Sequence, residues 1–200
     1  MSARCGWTGK LPSTGDFLSR GVAPEFATPW QRWLDSLLVA SRAILGETWS
    51  ARFRSVPAWR FVLGPGVLSE NGWAGVMVPS VDCVGRYYPL TIVCGLGPAP
   101  FDPGRTLEVL APWLDAVEAV ALEALSPAAD ADAVDAAVRA LPLPSVPRDS
   151  AGVGGVPRSA WSARESDLGS GWRFAVQGMP DVRRYCEMLT GTTPREAELR

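Results

Sequence analysis

The sequence predicts an α/β fold, a three-layer α-β-α sandwich around a mixed, largely antiparallel sheet. Amphipathic helical segments lie between runs of strand-like segments, so helices can pack on a sheet. Residues 90–96 are apolar without alternation, which is typical of a strand covered on both faces. Short turns join consecutive strand segments, which favours antiparallel neighbours. This pattern argues against a doubly wound nucleotide-binding fold.

The composition is that of a globular chain. Its 200 residues are 47% hydrophobic and 20% charged, and we expect one domain over residues 1–200. Residues 1–100 carry nine basic and six acidic side chains, and residues 101–200 carry ten and fifteen, so neither half predicts nucleic-acid binding. No apolar run approaches the roughly 20 residues of a membrane helix, and the first residues lack a signal-peptide core. We therefore expect a cytoplasmic protein without membrane insertion.

The absence of histidine narrows the possible chemistry. It excludes a Ser-His-Asp or Cys-His catalytic arrangement and the usual zinc sites. Cys5, Cys83, Cys94 and Cys186 show no C-x-x-C spacing. We expect four reduced and mostly buried thiols. The sequence therefore predicts no cofactor and no metal.

The clearest predicted helix spans residues 24–45. Phe26, Trp30 and Leu34 recur at three- and four-residue spacing and continue to Leu37, so one face should be buried. A proline suits its first position, and Gly46 is a natural stop. Further helices are predicted over residues 106–125 with a kink or restart at Pro112, over 130–141, and over 180–189.

The predicted strands follow from alternation and from the turns that bound them. Along residues 59–63, Trp59 and Phe61 face one side while Arg60 and Val62 face the other. The other predicted strands are residues 4–8, 72–78, 90–96, 160–163 and 172–177. Residues 143–159 are predicted to form a Pro/Gly-rich loop, and residues 190–200 a mobile tail.

A polar connection joins the two apolar segments around residues 74–78 and 90–96. It holds Ser80, Asp82, Gly85 and Arg86 between Pro79 and Pro89. Prolines cannot donate to a sheet ladder, so both should lie at strand ends. Asp82 and Arg86 are then held near a sheet edge, where they can pair with each other or with a docking partner.

A second shaped loop follows the first predicted strand, over residues 9–17. It contains Lys10, Pro12 and Gly15, and Lys10 is the only lysine in the chain. Asp16 and Arg20 form another acid–base pair with the same spacing of four as Asp82 and Arg86. We expect the two pairs to form one network that fixes both loops near one edge of the sheet. The alternative is that these charges only tie down turns.

Both loops resemble segments of a known family. Residues 9–17 and 78–90, with Trp30-x-x-Trp33-Leu34 and Pro57-x-Trp59-Arg60-Phe61 between them, are similar to the TagF (ImpM) family, accessory proteins of the bacterial type VI secretion system. The resemblance covers roughly the first hundred residues. It departs from the family at Cys83 and Tyr88, where Arg and Phe are frequent. It implies a cytoplasmic regulator that holds secretion off after translation, through the forkhead-associated scaffold protein of the apparatus.

The main functional hypothesis is a non-catalytic repressor that binds through these loops. The residues expected to form or fix the binding surface are Lys10, Pro12, Gly15, Asp16, Phe17, Arg20, Trp59, Arg60, Pro79, Ser80, Asp82, Gly85, Arg86 and Pro89. One alternative is a His-independent hydrolase with Ser80 or Cys83 as nucleophile and Lys10 or Asp82 as base. Another is a nucleotide or small-molecule sensor, although the first loop lacks G-x-x-x-x-G-K-[ST]. The sequence leaves the oligomeric state open.

Overall fold

The computed structural model describes residues 4–146, 156, 158–164 and 172–191. The strands are β1 (Cys5–Lys10), β2 (Phe17–Arg20), β3 (Trp59–Leu63), β4 (Gly72–Val78), β5 (Leu90–Gly97), β6 (Arg158–Ala163) and β7 (Trp172–Gln177). The helices are α1 (Pro24–Leu45), α2 (Trp49–Ser55), α3 (Pro103–Val109), α4 (Ala111–Glu123), α5 (Ala131–Ala140) and α6 (Val182–Thr190), with a short 3-10 turn at Gly46–Thr48.

The described strands form one seven-stranded sheet in the order β2-β1-β5-β4-β3-β6-β7. Every pairing among them is antiparallel. The consecutive strands β3, β4 and β5 are neighbours, as short connections require. The β4–β5 connection, which carries the polar run, therefore leaves the sheet from its centre.

Alternate residues of the central strands supply two separate cores. Val62 and Ile92 pack on one face of the sheet, in the core that also contains residues of α3, α4 and α5. Phe61 and Val93 pack on the other face, together with residues of α1, α2 and α6. β5 is thus covered on both sides. The predicted three-layer α-β-α sandwich is confirmed.

Helix α1 has the predicted bounds, and its apolar face anchors the second core. Trp30 stacks at 4.9 Å on Phe26 and donates its indole N–H to Thr91 Oγ1 at 3.1 Å. The ring of Trp161 in β6 lies parallel to Trp30 at 6.2 Å. Aromatic contacts of this kind add to the free energy of area burial. The helix ends at Gly46, as expected.

Three shorter helices begin at an aspartate. The carboxylates of Asp102, Asp130 and Asp181 each accept a hydrogen bond from a backbone N–H of the first turn of α3, α5 and α6. This satisfies one donor that the helix cannot pair internally. The predicted helix over residues 106–125 is two helices, because α4 restarts beside Pro112.

Several predicted boundaries were wrong. Helix α2 and strand β2 were not predicted, β1 continues to Lys10, and β6 begins at Arg158 rather than at residue 160. Both missed elements are short and show only about two periods of their pattern, which is too few for a prediction from periodicity. Of the predicted loop 143–159, residues 147–155 and 157 lie outside the described residues. So does the predicted tail from residue 192 onward.

Candidate functional site

Asp82 is the centre of a buried ion-pair network. Its side chain is 0% exposed, and one carboxylate oxygen accepts from Lys10 Nζ at 2.5 Å and from Arg86 Nε at 2.8 Å. The other oxygen accepts from the backbone N–H groups of Arg86 at 2.8 Å and Val84 at 3.1 Å. The predicted pair of Asp82 and Arg86 is therefore confirmed. Lys10, whose side chain is 11% exposed, is its more deeply buried cationic partner.

These donors keep the Asp82 carboxylate ionised. Burial by itself would raise the pKa of Asp82. The hydrogen bonds from Lys10 and from the backbone and side chain of Arg86 outweigh burial and hold the pKa of Asp82 well below its ordinary value. A carboxylate with a depressed pKa and four donors is a poor proton acceptor, but it is an effective anchor for a loop.

A tight turn explains why residues 82 and 86 meet. Asp82 N donates to Arg86 O at 3.0 Å, and Val81 and Tyr87 form an antiparallel bridge, so the β4–β5 connection is a small hairpin. Gly85 takes φ 82° at its tip, in the region that favours glycine. The tip presents Val84, which is 65% exposed, and the side chain of Arg86, which is 58% exposed.

The first predicted loop packs directly on this hairpin. Cys83 N donates to Thr14 O at 3.3 Å, and a Cβ at Gly15 would lie 3.7 Å from Arg86 Nη2. Phe17 meets Tyr88 edge to face at 5.2 Å. We call this contact between residues 9–17 and 79–89 the loop junction. The sequence prediction that the two loops act together is thus supported by their contact.

The junction requires close backbone approach at its base. Gly9 has φ 131°, and a Cβ there would lie 2.1 Å from the carbonyl oxygen of Pro89. A turn closed by Thr14 N donating to Leu11 O at 3.2 Å holds Pro12 at its second position, where proline is favoured. Lys10, at the end of β1, is thereby directed beyond β5 toward Asp82.

The second predicted ion pair does not form. Asp16 is exposed, and Arg20 instead pairs with Asp132 in the first turn of α5 at 2.5 Å. Residues four apart meet across a turn, but in the extended strand β2 they are separated by about 13 Å. The network at the junction therefore consists of Lys10, Asp82 and Arg86, and the predicted contribution of Asp16 and Arg20 to it is wrong.

Arg60 and Trp59 lie on opposite faces of β3, as predicted, and away from the network. Arg60 is buried and pairs with Asp115 and Glu118 of α4, each at 2.6 Å. The hydrogen bond that Arg60 donates to Asp115 lowers the pKa of that carboxyl group. Trp59 lines an apolar crevice of about 10 Å³ with Pro79 and Pro89. That volume holds about one water molecule. Trp59 therefore packs at the base of the hairpin, whereas Arg60 joins β3 to α4.

The candidate nucleophiles differ in access. Ser80 is 3% exposed, and its hydroxyl has no hydrogen-bond partner among the described residues. Cys83 is exposed at the hairpin tip, whereas Cys5, Cys94 and Cys186 are buried. Within the described ranges, no group of three Cys, Asp or Glu side chains could hold a metal ion. None of the described helices is long and apolar enough to span a bilayer.

The sequence reasoning missed one part of this region. Trp49 and Phe53 in α2 pack against Tyr87 at 5.3 and 5.6 Å, and thereby support the hairpin from below. The signal was present as two aromatic residues four apart after Gly46, a spacing that indicates one helical face. The bond from Lys10 to Asp82 had no such signal, because 72 residues separate the two.

The fold defines a three-layer sandwich of the kind found in a solved protein. The crystal structure of PA0076 from Pseudomonas aeruginosa PAO1 matches with a TM-score of 0.85 and 33% sequence identity, over 96% of each chain. The family described as TagF N-terminal domain, type VI secretion system-associated, matches residues 6–141. The chain therefore belongs to the TagF family. A search of curated proteins finds no match.

Proposed function

We propose that the chain is a post-translational negative regulator of type VI secretion that acts in the cytoplasm by protein–protein contact. The partner is the forkhead-associated scaffold protein of the apparatus. Membership of a type VI secretion-associated family supports the pathway. The observation that carries the binding role is the loop junction, in which a buried network fixes an exposed tip.

A pre-organised tip favours binding. Because Asp82 fixes the hairpin by four hydrogen bonds, Val84 and Arg86 are presented without the loss of loop entropy on association. Arginine is enriched in binding hot spots, and the exposed valine adds apolar area. The tip thus combines a cation and an apolar group on a rigid support.

The same geometry argues against a hydrolase. Asp82 is held ionised by its donors, and Lys10 is engaged by Asp82. A Ser–Lys mechanism needs a lysine free to accept the proton of the nucleophile. For a binding protein, Ser80→Ala should leave the melting temperature and repression unchanged. Complete loss of repression in a folded Ser80→Ala variant would favour the hydrolase instead.

The regulatory role can be tested in a bacterium that carries the secretion system. Deletion of the gene should raise the release of type VI substrates into the medium, and expression in excess should suppress it. The purified chain should capture the forkhead-associated protein, and Arg86→Ala should weaken that capture. Arg139→Ala is the matched control, because Arg139 is an exposed arginine on α5, outside the loop junction. Unchanged secretion in the deletion strain would contradict the proposal.

The sensor alternative has a direct test. A thermal-shift screen with common nucleotides and dinucleotides should give no change in melting temperature for a protein that binds only another protein. A concentration-dependent rise with one compound, abolished by a substitution at the loop junction, would favour the sensor.

A further inference from the structure

A basic cleft lies beside the hairpin tip. It is bounded by the end of α1, the turn at Gly46–Thr48, the start of α2 and the tip itself, and it has a volume of about 540 Å³. Its principal lining side chains are Arg42, Glu47, Trp49, Ser50, Arg86 and Tyr87. Its volume lies within the range of ligand-binding clefts, in contrast to the 10 Å³ crevice beneath the hairpin.

Two guanidinium groups in this cleft are held in place by neighbouring side chains. Arg42 lies 4.3 Å from the centre of the Trp49 ring, and the Trp49 indole is fixed by donating to Ser41 Oγ at 2.8 Å. Arg86 is fixed by the bond from its Nε to Asp82. Each side chain therefore loses little conformational freedom when it binds an anion.

Both guanidinium groups retain unused donors. Arg42 makes no ion pair with a carboxylate in the described part of the chain, and Arg86 uses only Nε for Asp82. Planar guanidinium groups match carboxylates with two parallel hydrogen bonds. The cleft is thus equipped to bind carboxylates from two sides.

The surroundings of the cleft are basic and partly aromatic. Arg54 Nη1 donates to the Tyr87 hydroxyl at 3.1 Å, and its guanidinium lies 5.8 Å from that ring. Glu47 is the one carboxylate among the lining residues, against Arg42 and Arg86. The chain as a whole has a net charge of −2, so this region has the opposite sign. The aromatic walls can hold the aliphatic part of an acidic side chain.

We propose that the basic cleft binds an acidic segment of the partner protein, with Asp or Glu carboxylates paired to Arg42 and Arg86. The proposal rests on the proposed function and assigns its contact surface. Binding at the cleft extends the partner interface from the hairpin tip to the end of α1. Arg86 belongs to both, since it lines the cleft and is fixed by the loop junction.

The test is a fluorescence-anisotropy titration with a labelled hexaglutamate peptide. Wild-type protein should bind it, binding should weaken as salt rises because exposed charges are screened, and a labelled hexaserine peptide should not bind. Arg42→Glu should weaken binding by about tenfold or more. Arg32→Glu is the matched control on the same helix, because Arg32 is exposed and does not line the cleft; it should change binding by less than about twofold.

Two further measurements keep the test decisive. Melting temperatures verify that the variants fold, and Arg42→Gln replaces Arg42→Glu if charge reversal unfolds the protein. Absence of hexaglutamate binding to wild type, or equal weakening by Arg42→Glu and Arg32→Glu, would overturn the cleft assignment. In the secretion assay, full repression by Arg42→Glu overturns the cleft but leaves the regulatory role intact. Unchanged secretion on gene deletion overturns the regulatory role, whatever the titration gives.

Discussion

The strongest prediction concerns the charge on Asp82. Asp82→Asn keeps an oxygen that can accept from the two backbone N–H groups, but it removes the counter-charge of the nearly buried Lys10 ammonium. Breaking a buried pair by removing one partner costs about 3–5 kcal/mol, and we expect the lower end because the turn survives. For a chain of this size, about 3 kcal/mol lowers the melting temperature by roughly 6–12 °C.

A double-mutant cycle separates the pair from its surroundings. Lys10→Met leaves Asp82 with Arg86 and two backbone donors, so we expect a smaller loss of about 1–2 kcal/mol. The double variant leaves no buried charge unpaired, because the remaining cation, Arg86, has a side chain that is 58% exposed. The decrease in its free energy of unfolding should therefore be about 2 kcal/mol smaller than the sum of the decreases in the two single variants.

Urea unfolding followed by tryptophan fluorescence measures all three variants. Asp132→Asn is the control, because Asp132 is 83% exposed in its pair with Arg20 and should cost less than about 1 kcal/mol. Additive losses in the double variant, within about 0.5 kcal/mol, would refute the assignment of Asp82 as a charged anchor. A loss below about 1 kcal/mol for Asp82→Asn would refute it equally.

Three further predictions concern Asp82, Arg60 and Gly75. Folding lowers the pKa of Asp82, so the ionised carboxylate contributes its full stabilisation above the unfolded pKa of about 3.9, and this stabilisation is lost as the pH falls from there toward the folded pKa. As the pH is lowered through this range, the free energy of unfolding should therefore fall less for Asp82→Asn than for wild type. Arg60→Met should lower the free energy of unfolding, measured in urea, by about 3 kcal/mol, because it leaves the nearly buried Glu118 without its partner. The control is Arg173→Met, which removes an exposed arginine and should lower the same free energy by less than about 1 kcal/mol. Gly75→Ala should abolish soluble expression, since its Cβ would lie 2.1 Å from a carbonyl oxygen of β5.

The parts of the fold that could be predicted have long or clearly bounded patterns. α1 has six turns of apolar spacing. In β3 the side chains alternate between the two faces of the strand, which lies between Pro57 and Gly64. The bounds of both elements were therefore predicted correctly. α2 has seven residues and β2 has four, about two periods each, which is too few to identify an element from periodicity alone. Their structure is set by tertiary contacts, for example by the pairing of β2 with β1.

Part of the candidate site could likewise be predicted from the sequence, and part could not. The Asp82–Arg86 pair was predicted because a glycine-containing turn brings local residues together. The identical spacing of Asp16 and Arg20 predicted a pair that an extended strand forbids. Spacing alone cannot separate these cases, since the backbone conformation between the charges decides whether they meet. The partner Lys10 could be found only once the sheet order placed β1 beside β5.

The sheet order also sets when the hairpin tip can be fixed during synthesis. The residues that fix the hairpin come from β1 and from the β4–β5 connection, and β5 must lie between β1 and β4 before Lys10 can reach Asp82. A nascent chain that has emerged only through β4 cannot hold the tip in place. The hairpin tip can therefore be fixed only after β5, which ends at Gly97, has been synthesised and has paired with β1.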